Sequence, residues 1–213
     1  MGKYQGIVFD LDGVICHTDR FHYLAWKALA DRLEIAFDES VNNRLRGVSR
    51  MESLEIILRG SGQAFTDAEK AAFASEKNEH YRRFLEQMTP KDLSPEVKST
   101  LDFLRESGCR LAIGSSSKNA GFILERIGLG DYFDAVVDGN QITRAKPEPE
   151  VFLRAAQGLG VAPENCLVVE DAFVGIEAAV RAGMDAAGIG DAQSSPMATY
   201  PLAAFSGLKE ICK

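Results

Sequence analysis

Short apolar runs recur along the chain with helix-patterned stretches between them: Gly6–Phe9, Leu111–Gly114, Ala135–Val137, Cys166–Val169 and Ala186–Ile189. Runs this short, without polar alternation, predict strands buried on both faces. Strands separated by helices predict right-handed crossovers and a mostly parallel sheet. The rhythm fails between about His17 and Thr89, where only helical patterning is found. Phe21–Leu33 is one predicted helix, and Thr66-x-x-Glu69 is a capping-box start for another that runs to about Met88. Met51, Leu54, Ile57 and Leu58 share one face of a third. Helices inserted after the first strand should form a separate lobe over the strand ends, and Pro90 and Pro95 mark the return to the sheet. The expected division is a sheet domain of residues 1–16 and 93–213 and a helical domain of residues 17–92, with hinges near 15–19 and 89–94.

Composition narrows the partners. At 213 residues and 46% hydrophobic, the chain can bury one solid core and a small second unit. A net charge of −7 without blocks of like sign makes nucleic acid and anionic membrane poor partners. No apolar segment approaches the ~18 residues of a membrane span, and no signal-peptide pattern opens the chain. Cys16, Cys109, Cys166 and Cys212 are widely separated, and the first three border predicted strands, where cysteine acts as a small hydrophobe. A reduced, cytoplasmic, monomeric protein acting on a small molecule is expected.

Four segments at or near the ends of predicted strands carry candidate chemistry. Asp10-Leu11-Asp12-Gly13 follows the first strand. An aspartate leaving a strand can attack phosphorus, and a second one two residues on can handle the alcohol proton; paired acids beside glycine also make an ordinary turn. Ser115-Ser116-Ser117-Lys118-Asn119 follows the second strand. Its hydroxyls and amides suit a phosphate, or one serine simply caps the next helix. Lys146, in Ala145-Lys146-Pro147-Glu148-Pro149 before a predicted helix Pro149–Gly158, could neutralise a phosphoryl group and a nucleophilic aspartate, or lie in solvent. Glu170-Asp171 ends a strongly apolar strand. Adjacent carboxylates there repel unless a cation joins them, and a few hard oxygens beside phosphate suit Mg²⁺; the alternative is an Asp N-cap for the helix containing Gly175–Arg181.

This ordered set resembles the haloacid dehalogenase superfamily over essentially the whole chain. The resemblance implies an α/β fold with a Rossmann-like parallel-sheet core and an inserted α-helical cap domain. It implies Asp10 as covalent nucleophile and Asp12 as general acid/base, with Ser115 and Lys146 beside them. It implies Mg²⁺ held by the carboxylates of Asp10, Glu170 and Asp171 and the Asp12 carbonyl. Within the superfamily, the runs His22–Leu29, Arg46–Leu54, Lys77-Asn78 and Ser115–Asn119 resemble the β-phosphoglucomutase family.

Helix geometry leaves these cap positions open by itself. Lys77 falls inside an apolar stripe of Phe73, Tyr81, Phe84, Leu85 and Met88, where it could snorkel or enter a cleft. His22 shares the sector of Trp26, Leu29 and Leu33, where a satisfied core histidine is the ordinary explanation. Arg46 and Arg50, flanking Gly47, Val48 and Ser49, could be solvated charges or a phosphate clamp. The resemblance places His22, Trp26, Arg46, Gly47, Val48, Ser49, Arg50, Ser53, Lys77, Ser116, Ser117, Lys118 and Asn119 against a sugar phosphate. Two residues depart from the family: His17 stands where an acid is common and Arg46 where lysine is. His80 carries no motif and is expected to face water.

The implied reaction interconverts β-D-glucose 1-phosphate and β-D-glucose 6-phosphate through an aspartyl phosphate and a 1,6-bisphosphate. The alternative is a Mg²⁺-dependent sugar-phosphate phosphatase of the same superfamily. A non-enzymatic binder is disfavoured because both aspartates are present.

Overall fold

A computed structural model describes residues 3–45 and 48–213. In chain order it contains β1 (Gly6–Phe9), α1 (Asp19–Arg32), α2 (Glu39–Asn43), α3 (Arg50–Leu58), α4 (Asp67–Leu85), α5 (Pro95–Glu106), β2 (Arg110–Gly114), α6 (Ala120–Arg126), β3 (Ala135–Val137), α7 (Glu150–Leu159), β4 (Cys166–Glu170), α8 (Phe173–Arg181), β5 (Asp185–Gly188), β6 (Tyr200–Pro201) and α9 (Leu208–Ile211). These form two compact units, Met1–His17 with Met88–Lys213, and Thr18–Gln87.

The first unit is built on a six-stranded sheet of order β3-β2-β1-β4-β5-β6 in which every pairing is parallel. β1 lies centrally, with Gly6 in register with Arg110 on one side and Cys166 on the other. All four β1 residues and all five of β4 are buried, which is why neither strand alternates in polarity. Val8, Ala112, Val168 and Ala186 on the sheet pack with Phe152 and Leu159 of α7 and Ile176 and Ala179 of α8. The chain leaves β1 towards β2 and later returns to β4 on its other side, so the strand order reverses between β1 and β4. In open α/β sheets the crevice at the carboxyl ends of such a strand pair is where ligands bind.

The five expected strands are present with small shifts. β2 starts at Arg110, β4 continues to Glu170, and β5 covers Asp185–Gly188 where Ala186–Ile189 was expected, although Ile189 N still donates to Glu170 O at 2.8 Å. β6 carried no signal because it is two residues long and contains a proline, tolerable only on an edge. α7 begins at Glu150, with Pro149 as its N-cap.

The second unit is helical. Trp26, Leu29 and Ala30 of α1, Leu54, Ile57 and Leu58 of α3, and Ala74 of α4 close its core with Ile35 and Phe37. Thr66 and Glu69 form the expected capping box at the start of α4. Three expectations are corrected. Met51 is 44% exposed, because α3 starts at Arg50 and Met51 lies on the outer side of its first turn. α4 ends at Leu85, and the buried Met88 belongs to the sheet unit, where its carbonyl accepts from Arg126 Nε at 3.0 Å. The helical unit spans Thr18–Gln87, against the expected 17–92, because Thr89 and Asp92 close a separate capping box around a 3-10 turn at Pro90–Asp92 on the sheet side. Among the described residues, no helix is long and apolar enough to cross a membrane.

Candidate active site

Asp10 directly follows β1, Ser115 follows β2, and Glu170 ends β4, so parallel register brings three polar residues to one edge of the sheet. The Asp10 N–H donates to Val169 O at 2.9 Å, continuing the β1–β4 ladder into the site. Asp10, Ser115, Lys146 and Glu170 are all buried. Lys146 arrives from the segment before α7 across a cis Lys146–Pro147 peptide. Its Nζ lies 2.5 Å from Glu170 Oε1 and also pairs with Asp10 Oδ1. The bland alternative for Lys146, a solvated side chain, is therefore excluded.

The electrostatics are unbalanced. Burial pushes the Asp10 carboxyl well above its usual range; Lys146 pulls it down, and Glu170, Asp12 and Asp171 push it up again. Burial opposes charge on Lys146, but Asp10 and Glu170 outweigh it and hold the ammonium protonated. Asp10 thus has one buried cation against it and the charges of three further acids around it.

Two glycines make this crowding possible. A Cβ on Gly175 would fall 1.9 Å from Glu170 Oε1, so only glycine lets α8 pass under that carboxylate. Gly13 has φ +87°, and a Cβ there would meet Asp171 Oδ2 at 2.2 Å. Asp12 is half-buried in the same tight turn, where Gly13 N donates to Cys16 O at 2.8 Å. His17, just beyond, is exposed.

A divalent cation fits this donor set in charge and hardness: carboxylates in excess of their one lysine, two of them pressed against glycine backbone. Among the described residues no three acids, histidines or cysteines converge as a ready-made cage. The Lys146 ammonium bridges one oxygen of Asp10 and one of Glu170, so the second oxygen of each carboxylate keeps a lone pair for a cation, Glu170 Oε2 while also accepting from Ala172 N at 2.9 Å.

The serine loop is part of the same edge. Ser115 Oγ accepts from Ser117 N at 3.1 Å, and Ser117 Oγ accepts from Asn119 N at 3.3 Å. Neither caps α6, whose N-cap is the buried Asn119 without a side-chain cap bond. Asp171 likewise does not cap α8; Ala172 occupies that position. Among the described residues, Ser116 Oγ is buried with no hydrogen-bond partner, a donor that an anion would satisfy. Lys118 is exposed, and its carbonyl accepts from Asn140 at 3.0 Å.

A second polar cluster is built inside the helical unit. Lys77 is buried, so it does not snorkel; its Nζ lies 2.8 Å from His22 Nδ1 and over the rings of Trp26 and Tyr81 at 4.7 and 4.6 Å. His22 stacks on Tyr81 with centroids 4.0 Å apart. Burial, then Lys77 and Arg50, drive the His22 pKa well below its ordinary value. Arg50 donates to Asn78 Oδ1 at 2.9 Å. Trp26 doubles as core. Ser53 is buried, and Val48 is half-buried. The Ser49 hydroxyl is engaged in a capping box with Glu52, which its Ser-x-x-Glu spacing encodes. Arg46 and Gly47 lie outside the described residues. His80 is half-buried, not fully turned to water. Tyr81, stacked on His22, and Gly175, against Glu170, carry no motif in the sequence that marks these contacts.

A strand-end aspartate pair, a buried lysine and an acidic pair thus stand together at the carboxyl ends of a Rossmann-like sheet. Residues 4–183 match the family model of the haloacid dehalogenase-like hydrolases, and the chain belongs to that family. It is an enzyme of this family. It is 42% identical over 191 residues to a β-phosphoglucomutase of Bacillus subtilis, covering 89% of this chain and 84% of that one. It is also 36% identical over 185 residues to a fructose-1-phosphate phosphatase of Escherichia coli, covering 86% and 95%. The crystal structure of a β-phosphoglucomutase from Clostridium difficile superposes with a TM-score of 0.89 at 36% identity, over 96% of this chain and 93% of that one.

Proposed function

We propose that the chain is a mutase that interconverts β-D-glucose 1-phosphate and β-D-glucose 6-phosphate, with the helical unit serving as the cap of its family. The observation that carries this reading is the second cationic cluster, Lys77 and Arg50 around a neutral His22. A hydrolase needs to hold one phosphate, whereas a mutase must keep a bisphosphate and present both ends in turn.

In this reading Asp10 attacks phosphorus and carries the group as an aspartyl phosphate, and Asp12 takes and returns the hydroxyl proton. Lys146 and Ser115 face the equatorial oxygens, where positioned charge supplies most of the catalysis. The carboxylates of Asp10, Glu170 and Asp171 with the Asp12 carbonyl would hold Mg²⁺, which enzymes of this family generally use and whose charge offsets that of the phosphoryl group. Ser116, Ser117, Lys118 and Asn119, with Arg50, would bind the phosphate that is not being transferred. His22, Trp26, Val48, Ser49, Ser53 and Lys77, with Arg46 and Gly47, would shape the sugar site. Four free, buried cysteines accord with a reduced cytoplasmic setting, and we take the protein to act as a monomer.

The E. coli relative supports a second reading, a sugar-phosphate phosphatase. Phosphorus NMR of purified enzyme with Mg²⁺, β-glucose 1-phosphate and catalytic glucose 1,6-bisphosphate separates the two. Glucose 6-phosphate should accumulate far faster than inorganic phosphate; phosphate as the main product would establish the phosphatase.

A further inference from the structure

We propose that Glu150 is a positioning residue for Lys146: its carboxylate fixes the segment that delivers the ammonium to Asp10 and Glu170. This rests on the reading of Lys146 given above. One oxygen, Oε2, accepts from the backbone N–H of Thr143 at 3.0 Å, the backbone N–H of Arg144 at 2.9 Å and the Thr143 hydroxyl at 2.9 Å. The other, Oε1, accepts from Arg154 one turn along α7, through Nε at 2.9 Å and Nη2 at 2.8 Å. Glu150 is thereby clamped to its own helix on one side and to the incoming loop on the other.

The loop needs such an anchor. Residues 138–149 contain no strand or helix, so no ladder holds their backbone. Lys146 lies two residues past Arg144, and the turn is closed by Glu148 N donating to Ala145 O at 3.0 Å. The first part of the stretch is tied to the serine loop by Gly139 N donating to Ser117 O at 3.1 Å and Asn140 Nδ2 to Lys118 O at 3.0 Å, but around Lys146 the ion pairs of Glu148 with Arg144 and Arg181, at 3.4 and 3.3 Å, are exposed and of a kind that contributes little. Bonds from N–H groups to a carboxylate are stronger than neutral ones. The amides of Arg144 and Thr143 hold the Glu150 carboxyl down to about 2, so it keeps its charge at any working pH. A lysine with a flexible stem reaches two buried carboxylates reproducibly only if its own backbone is fixed, and small displacements of a catalytic group are expensive in rate.

The test is a double-mutant cycle in mutase kcat, read from initial rates at enzyme concentrations high enough to follow Lys146→Ala. Glu150→Gln in the native background should lower kcat by roughly 10- to 100-fold with KM changed far less. In the Lys146→Ala background the same change should shift kcat by less than about twofold, because no ammonium is left to misplace. Thr143→Val removes one of the three bonds to Oε2 and should give a smaller loss with the same disappearance, which covers the case in which Glu150→Gln folds poorly. Equal losses in both backgrounds would mean that Glu150 supports the fold in general and overturn the proposal. So would a native kcat in Glu150→Gln while Lys146→Ala is inactive, which leaves the functional reading intact. Full activity in Lys146→Ala would remove both.

Discussion

Lys77 Nζ stands 2.8 Å from His22 Nδ1, so a charge on the lysine would decide the tautomer of the histidine. An ammonium can only donate, so Nδ1 accepts and the imidazole proton sits on Nε2. A second cation, Arg50, adds to the field that keeps His22 neutral. The faces of Trp26 and Tyr81 compensate part of the desolvation of Lys77, a role suited to aromatic quadrupoles.

The histidine gives a pH dependence with a definite sign. In the unfolded chain His22 titrates near 6.5, whereas folding drives its pKa well below that. Between the two values the unfolded chain binds more protons, so stability is complete above about pH 6.5 and is lost as pH falls through the folded pKa. Thermal unfolding from pH 7 to 5 should therefore show a falling Tm. His22→Gln should flatten that decline. Parallel declines in both proteins would mean that His22 is not held neutral.

Gly175→Ala tests the crowding around Glu170. Alanine in a helix gains about 1 kcal/mol over glycine, whereas dislodging one partner of a buried ion pair costs about 3–5 kcal/mol. The second effect wins, so the variant should lose about 2–4 kcal/mol in denaturant unfolding, together with most of its activity. Gly121→Ala in α6, where a Cβ would meet nothing within 4 Å, serves as the unobstructed control and should keep or gain stability, by up to about 1 kcal/mol. Equal stability of the two variants would show that Glu170 has room to move.

The fold was legible where a single residue pattern decided it. Ile7, Val8 and Phe9 read as a strand because the sheet is covered on both faces, and Thr66 with Glu69 read as a helix start because the cap is local. Met51 misled because a nine-residue helix offers too little periodicity to separate N2 on the rim from Leu54 in the core. Asp10, Lys146 and Glu170 could be placed on one rim from strand ends, yet not joined, since their pairing depends on the strand order β2-β1-β4. Arg50 and Asn78 meet only because α3 packs on α4. Glu150 looked like an ordinary first-turn acid; nothing in its local pattern marks the loop it holds.

Asp10→Asn should abolish turnover while preserving the fold. An amide of the same shape is a far poorer nucleophile. The substitution also removes a buried charge that Glu170, Asp12 and Asp171 repel, while Lys146 keeps Glu170 as its partner, so the variant should unfold at a temperature no lower than the native protein. Residual mutase activity above background, assayed with glucose 1,6-bisphosphate present, would remove Asp10 from the nucleophile's role.

Arg50 separates the mutase from the phosphatase. If it binds the phosphate that is not being transferred, Arg50→Ala removes a hydrogen bond to a charged group, worth about 1.5–3 kcal/mol, or roughly 10- to 100-fold in rate. The bisphosphate should then escape or sit wrongly for the second transfer, and mutase turnover should drop by that factor. Phosphorylation of Asp10 by acetyl phosphate needs only the sheet-edge residues and should be nearly unchanged. Asn78→Ala, which frees the Arg50 guanidinium from its 2.9 Å partner, should reproduce part of the mutase loss, because the arginine then samples more conformations before it meets an anion. The informative quantity is the ratio of mutase rate to acetyl phosphate hydrolysis in each variant. A ratio that stays at the native value in Arg50→Ala would show that this arginine makes no selective contact with the second phosphate, and the phosphatase reading would gain accordingly.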